Sequence, residues 1–408
     1  MAGTACTRSP QVSPGQAGSA VAGIDLPGLR AMYRRELFDR YLPAIEEHVF
    51  DHEYGGFMCS VDIRTGERLA EVKRTWFEGR GMWAYAFLYN NLEADPRYLE
   101  FARKSKDFVL RHLPEDDQFF VLSYNRQGEP VSREPADIYG DLFVAEGLAE
   151  YSKASGEEEY YELAKRLVRK CLNRYDEPVY QFRDQPAGRR FLGHWMVFLI
   201  GSTHMLMIKE DPEIKAIADR SIDAILNDHM NSNYRLLNEY LAHDMSLPEE
   251  VEQFAYLGHA IETLWMVMYE AVRRGDRTLL ERAASHFRRH VTVAEDVVYG
   301  GYFRSLDHVD NHEWTVDKVL WLQEEVLIGS LLMVEHLNDE WAAEVFRKTN
   351  DYVLETYARP GYKFWIPNGD RTLTEYNSSR AENYHHPRHL MLNLLSVERM
   401  LERGGNRG

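Results

Sequence analysis

The chain has 408 residues, with 65 acidic against 48 basic side chains and a formal net charge of −17 at pH 7. That excess argues against a partner with a phosphate backbone and disfavours a polyanionic ligand unless a basic pocket overrides it locally, so a small neutral molecule is the easier partner. No apolar run approaches the ~20 residues needed to cross a bilayer, and the cysteines Cys6, Cys59 and Cys171 are too scattered for a disulfide frame or a zinc cluster, which predicts a protein without a membrane span in a reducing cytoplasm.

In chain order, residues 1–28 are rich in Ala, Gly, Ser and Pro, carry Arg8 as their one basic residue and lack an apolar core of secretory length. They predict a disordered tail rather than a signal segment, with 29–404 as a single domain. Two kinds of helical segment then alternate. Amphipathic stretches with a charged face fall near 30–50, 96–113, 157–175, 212–230, 277–294 and 339–357 and read as half-exposed outer helices. Between them, stretches near 75–93, 137–153, 191–208, 254–274, 317–337 and 387–402 are apolar nearly all round, so they must be covered on every side. Strict alternation of the two kinds predicts an all-α (α/α)6 barrel, two concentric rings of about twelve helices. Hairpin signals lie between helices: Tyr54-Gly55-Gly56-Phe57, Asp117 to Val131 around Gln127-Gly128, Tyr299-Gly300-Gly301-Tyr302, and Phe364 to Leu373 around Asn368-Gly369. The repeated Tyr-Gly-Gly-aromatic unit points to internal duplication.

Ionisable groups on buried helices are costly unless paired, so they mark the candidate site. They are Glu78 and Arg80, Asp141 and Glu146, His194 and His204, His259 and Glu262, Lys318, Glu324 and Glu325, and the run His385 to His389. Arg80 reads equally as an ion-pair partner of Glu78 or as a ligand clamp, Asp141 and Glu146 as structural, and His194 and His204 as core imidazoles. His259 stands out because Glu262 follows three residues on and shares its helix face. His385 and His389 have chelating spacing, but Pro387 fits a first helical turn and places His385 just before it, so no metal site is expected there. Trp76, Trp83, Trp195, Trp265, Trp321 and Tyr384 read as core aromatics, one or two of which face the cavity to stack on a sugar ring.

Four motifs in order, Trp76-Phe77-Glu78-Gly79-Arg80-Gly81-Met82-Trp83, Gly258-His259-Ala260-Ile261-Glu262 with Trp265, Lys318 to Glu325, and Tyr384-His385-His386-Pro387-Arg388, give the chain from about residue 30 to 402 a specific signature. It resembles the N-acylglucosamine 2-epimerase superfamily, which includes cellobiose and mannose 2-epimerases and aldose–ketose isomerases. The resemblance implies an (α/α)6 barrel, a sugar substrate, and no metal or redox cofactor. It makes His259 and His385 the acid/base pair, Glu262 the partner of His259, Arg80 a clamp on the sugar's O1/O2 region and Glu325 an orienting group. Trp321 and Tyr384 become substrate-facing aromatics, and His194, with His204 as its competitor, a substrate contact. The implied chemistry removes the C2 proton of the open-chain sugar and returns it through an enediolate, to C2 for an epimer or to C1 for a ketose.

The last motif departs both from the His-Val-Pro-Arg of the family's N-acylglucosamine branch and from the Tyr-His-Asn-x-x-Arg of its cellobiose branch, and His386 has no family role. A glycoside hydrolase on the same barrel would need two carboxylates about 5–10 Å apart, with Asp141 and Glu325 as its candidates. A non-catalytic carbohydrate-binding barrel would leave the histidine pair without a purpose. The choice among monosaccharide, N-acyl sugar, sulfosugar and disaccharide lies in loops outside the motifs. A homodimer is the expected assembly.

Overall fold

Short and long connections alternate along the chain, and that alternation puts all the long loops at one end of the molecule. The computed structural model describes residues 20–21, 23–115, 118–131 and 137–405. Its helices are α1 (Leu26–Arg34, carried on by π-type turns at Arg35–Tyr41 and Ile45–Val49), α2 (Thr75–Asn91), α3 (Pro96–Leu110), α4 (Ile138–Ser155), α5 (Glu158–Asp176), α6 (Leu192–Ile208), α7 (Pro212–Asp223), α8 (Leu257–Arg274), α9 (Arg277–Ala294), α10 (Leu320–Leu337), α11 (Glu340–Thr356) and α12 (His385–Gly405). Each even-numbered helix packs on the next, and α12 returns to α2 to close the ring. The odd-numbered helices cover them from outside, α3 on α2, α5 on α4, and so on round to α1 on α12. This is the (α/α)6 barrel that the alternating segments predict.

Burial follows the sequence pattern. In α8 an unbroken stretch from Ala260 to Met268 is buried, whereas α5 buries only the stripe Tyr161, Ala164, Leu167, Val168, Cys171 and Tyr175. The outer helices α1, α3, α7, α9 and α11 start on aspartate caps, Asp25, Asp95, Asp211, Asp276 and Asp339, each accepting a first-turn backbone N–H. Among the inner helices, α2, α6 and α10 start directly from extended residues, and they and α8 have no side-chain cap.

Those extended residues form short antiparallel pairs at the long-loop end. Val72–Arg74 pairs with Ser123–Asn125, Arg190–Phe191 with Tyr240–Leu241, and Lys318–Val319 with Asn368–Gly369. Their pairing shifts several expected boundaries. Helix α10 begins at Leu320 rather than 317 because Lys318 and Val319 are strand. Asn368-Gly369, expected as a hairpin tip, is itself strand, and the chain turns at Asp370 to Leu373 instead. The Gln127-Gly128 turn is present, closed by Asn125 and Glu129, while Asp117 lies outside the described residues. Helix α1 starts at Leu26, inside the segment expected to be a tail, because Asp25 caps Gly28 N at 3.2 Å and Pro27 suits the first turn. Residues 1–19 and 22 of that segment lie outside the described residues.

Candidate active site

At the long-loop end the first turns of the inner helices surround a cavity of about 280 Å³. Trp76, Phe77 and Arg80 reach it from α2, Met196 from α6, His259 and Glu262 from α8, Trp321 from α10 and His385 from the start of α12. The helix starts turn the positive end of the helix dipole toward this space, which favours negative charge there, although their leading N–H groups on Thr75, Leu192, Gly258 and Leu320 already donate to backbone carbonyls. An adjoining lobe of about 260 Å³ shares Trp76, Arg80, Arg183, Met196, Tyr256 and His259 and adds the aromatic walls Tyr139, Phe143, Phe182, Phe191 and Tyr240.

His259 points into both lobes and its side chain is 28% exposed. Its Nδ1 lies 3.0 Å from Glu239 Oε1. Glu239 sits in the long loop before α8, so the partner of His259 is a residue that sequence reasoning missed; Glu262, expected in that role, has its carboxylate turned elsewhere. Burial pulls the His259 pKa down, but Glu239, with a further push from Glu262, more than offsets it and the pKa is raised. Two close glycines fix the surroundings: a Cβ on Gly258 would stand 2.5 Å from the Trp321 ring, and one on Gly193 3.2 Å from His259 Cε1.

His385 also adjoins Trp321, whose ring centroid is 5.7 Å from His385 and 6.1 Å from His259. Its Nδ1 is 3.3 Å from Glu382 Oε1 in the loop before α12. Burial outweighs that carboxylate, and the His385 pKa is lowered. Burial opposes ionisation of Glu382 as well, yet His385, Arg380 and Arg80 hold its pKa well below the carboxylate range. Arg80 forms no ion pair among the described residues; Glu78 instead accepts Phe57 N at 2.9 Å and Ser105 Oγ at 3.1 Å. The Arg80 guanidinium packs over Phe143 at 4.0 Å and Tyr384 at 4.7 Å, and its Nε has no partner.

Below the cavity lies a second layer. Arg388 of α12 donates to Glu262 at 2.6 Å and to Glu325 at 2.5 Å, and Trp265 Nε1 donates to the other Glu325 oxygen at 2.5 Å. Burial raises the Glu325 pKa despite Arg388, with Glu262 adding to the rise. Glu325 and Tyr384 do not line the cavity. Tyr384 is buried and donates to Glu146 at 3.0 Å, so it supports Arg80 rather than facing a substrate. His194 is likewise walled off, its ring among Tyr139, Phe182 and Phe191 at 4.8, 5.1 and 5.1 Å, while His204 Nδ1 is bound to Glu146 at 2.8 Å. Asp141, half of the hydrolase pair, is buried against Lys170 at 2.6 Å, and neither it nor Glu325 reaches the cavity.

Two triads have metal-ligand character, Glu262 with Glu325 and His385, and Glu324 with His386 and His389. In the first, Arg388 already bridges both carboxylates and supplies the positive charge an ion would bring. In the second, His386 Nδ1 is 2.5 Å from Glu324, a hydrogen bond too short for both atoms to bind one ion, and Tyr33 Oη is 3.2 Å from His389 Nε2. Helix α12 begins at His385 itself, a turn position earlier than expected, but His385 and His389 belong to different triads.

The sequence that folds into this closed double ring is that of an enzyme of the epimerase/isomerase class. The chain belongs to the N-acylglucosamine 2-epimerase (GlcNAc 2-epimerase) family, whose profile matches residues 55–387. It is 26% identical over 353 residues to N-acylglucosamine 2-epimerase of Mus musculus, covering 80% of this chain and 81% of that one. It is 25% identical over 365 residues to cellobiose 2-epimerase of Dictyoglomus turgidum, covering 84% and 91%. Its fold matches the cellobiose 2-epimerase of Bacillus thermoamylovorans B4167 with a TM-score of 0.79 at 18% identity over 91% of this chain and 100% of that one, and a D-mannose isomerase with 0.77 at 14% over 96% and 100%.

Proposed function

We propose that the protein is a cofactor-independent epimerase acting at C2 of a reducing sugar. One observation carries the reading: His259 and His385 line one cavity, both beside Trp321, and their surroundings push their pKa values apart, His259 up and His385 down. Two titratable groups driven in opposite directions suit one acid and one base. Relatives at about a quarter identity are named N-acylglucosamine and cellobiose 2-epimerases, which supports C2 as the reacting carbon.

The open-chain aldehyde enters with C2 between the rings. Neutral His385 takes the C2 proton, and the C–H electron pair moves into the C1 carbonyl to give an enediolate. Arg80, which lines the cavity and makes no ion pair among the described residues, faces the new negative charge. Protonated His259 then delivers its proton to the opposite face of C2, restoring the aldehyde with inverted configuration. Exchange with solvent resets both rings, and the reverse reaction uses them in exchanged roles.

The test is to incubate the protein with a panel of reducing sugars in D2O and read the products by NMR. Deuterium at C2 of an epimer is the expected outcome. Deuterium at C1 of a ketose would make the enzyme an aldose–ketose isomerase on the same histidines. Hydrolysis of a glycosidic bond, or no deuterium in any sugar, would overturn the reading.

A further inference from the structure

The cavity's charge differs in sign from that of the molecule around it. In a chain of net charge −17, Arg74, Arg80, Arg183 and Arg380 all line the polar lobe. Of its two carboxylates, Glu262 is matched by Arg388 at 2.6 Å, while Glu382, 3.3 Å from a neutral His385, is faced by the charges of Arg380 and Arg80. Arg183 is held by Asp137 at 3.1 Å. Arg380 reaches Glu382 only at 3.7 Å and remains 43% exposed. Arg74 is exposed and has no ion pair among the described residues, although acidic side chains outnumber basic ones.

Arg80 is assigned to the enediolate by the epimerase reading, on which this inference rests, and that leaves Arg74 and Arg380 without work at the reacting carbons. Arg74 immediately precedes α2, and Arg380 lies in the loop that leads into α12, the helix packed against α2. Both therefore stand at the same sector of the mouth. Arg74, without an ion pair, and Arg380, only loosely held by Glu382, leave guanidinium groups in excess of carboxylates at the rim, and such an excess recognises an oxyanion by charge-assisted, often bidentate, hydrogen bonds. A neutral sugar's hydroxyl groups accept hydrogen bonds from a guanidinium but leave its charge uncompensated, whereas an oxyanion does both.

We propose that the substrate is a reducing sugar carrying one anionic group, a phosphate, sulfonate or carboxylate, at the end remote from C1 and C2, and that Arg74 and Arg380 bind this group while C2 lies between the histidines. The local basic rim overrides the overall negative charge that otherwise favours neutral ligands.

Matched pairs test this. Glucose and N-acetylglucosamine are compared with their 6-phosphates, and glucose also with its 6-sulfonate and with glucuronate, by kcat/KM for C2 epimerisation. One anionic member should exceed its neutral partner by roughly 10- to 100-fold, the worth of one or two charged hydrogen bonds, and which of the three it is identifies the anion. Arg74→Gln and Arg380→Gln should each raise its KM and cut the anionic-to-neutral preference at least about tenfold. Arg35→Gln, an exposed change on the remote side of α1, should alter neither. Neutral sugars turned over as well as or better than every charged partner would overturn the proposal while leaving the epimerase reading intact. Calorimetry with 1,5-anhydroglucitol and its 6-phosphate, which cannot open to an aldehyde, separates the two claims. Tighter binding of the phosphate, lost in Arg74→Gln, upholds the anion site even if no sugar is epimerised, and equal binding of the pair overturns it.

Discussion

His259 and His385 feel the same two opposing influences, loss of water and a neighbouring carboxylate, and differ in which one prevails. If His259 acts protonated and His385 neutral, activity should fall at high pH as His259 loses its proton and at low pH as His385 gains one. Glu239→Gln removes the group that raises His259, so the alkaline limb of kcat/KM should move to lower pH; Glu382→Gln removes a group that raises His385, so the acid limb should also move down. A Glu239→Gln profile that coincides with wild type would remove Glu239 from the mechanism. His259→Ala and His385→Ala should each lower kcat by about 10²-fold or more, the usual contribution of a positioned acid or base. Because Arg388 already occupies the carboxylate pair beside His385, exhaustive dialysis against EDTA should leave turnover intact; a loss restored by one particular divalent ion would contradict this. The histidines and Arg80 were legible in the sequence because charge on an apolar helix is conspicuous wherever it falls. Glu239 and Glu382 were not, since they lie in polar loops where a glutamate carries no signal. Glu262 misled for a related reason: helix spacing shows its neighbour on the same helix, whereas its closest partner, Arg388, comes from across the ring.

The elements repeat as well as alternate. Asp51 accepts Glu53 N and Tyr54 N and binds buried Lys73 at 3.0 Å, and Lys73 also donates to Gly55 O at 2.6 Å. Asp296 accepts Val298 N and Tyr299 N and binds Lys318 at 3.0 Å, and Lys318 donates to Gly300 O at 2.6 Å. Arg126 and Arg371 complete the two clusters, while Glu78 and Gln323 accept Phe57 N and Tyr302 N at 2.9 Å in corresponding places. The Tyr-Gly-Gly-aromatic unit is the turn at the centre of each cluster, and the residues that lock it, Asp51, Lys73, Glu78 and Arg126, recur as Asp296, Lys318, Gln323 and Arg371 at the same spacing, although they are spread over the loops and helices that follow. Lys73→Met leaves Asp51 to Arg126 alone, so it should destabilise the fold, by less than the cost of about 3–5 kcal/mol for a buried charge left wholly unmatched. Adding Asp51→Asn should restore part of that loss in urea unfolding. Additive losses in the double variant would show that the two side chains do not act as a pair. The alternation of apolar and amphipathic segments gave away the helix order, but not where strands displace helix starts, because pairing of Lys318–Val319 with Asn368–Gly369 depends on a loop distant in sequence.

At the scale of the whole molecule the last helix closes the ring. Helix α12 lies between α10 and α2, is covered by α1, and brings both His385 and Arg388, so the site and the barrel are completed by the same segment. Leu390, Met391, Leu394 and Val397 on this helix are fully or almost fully buried. Without them the apolar faces of α2 and α10 would open to water, and each fully buried aliphatic side chain contributes roughly 1.5–3 kcal/mol. An open helical array would fray gradually at such an end, whereas a closed ring loses its packing on both sides of the gap. A chain ending at Arg380 should therefore lack a single cooperative thermal transition, bind a hydrophobic dye, and lose the near-ultraviolet circular dichroism of buried Trp83 and Trp265. If the shortened chain instead keeps one sharp transition and that dichroism, closure by α12 is not what holds the inner ring together, and its role is confined to delivering His385 and Arg388.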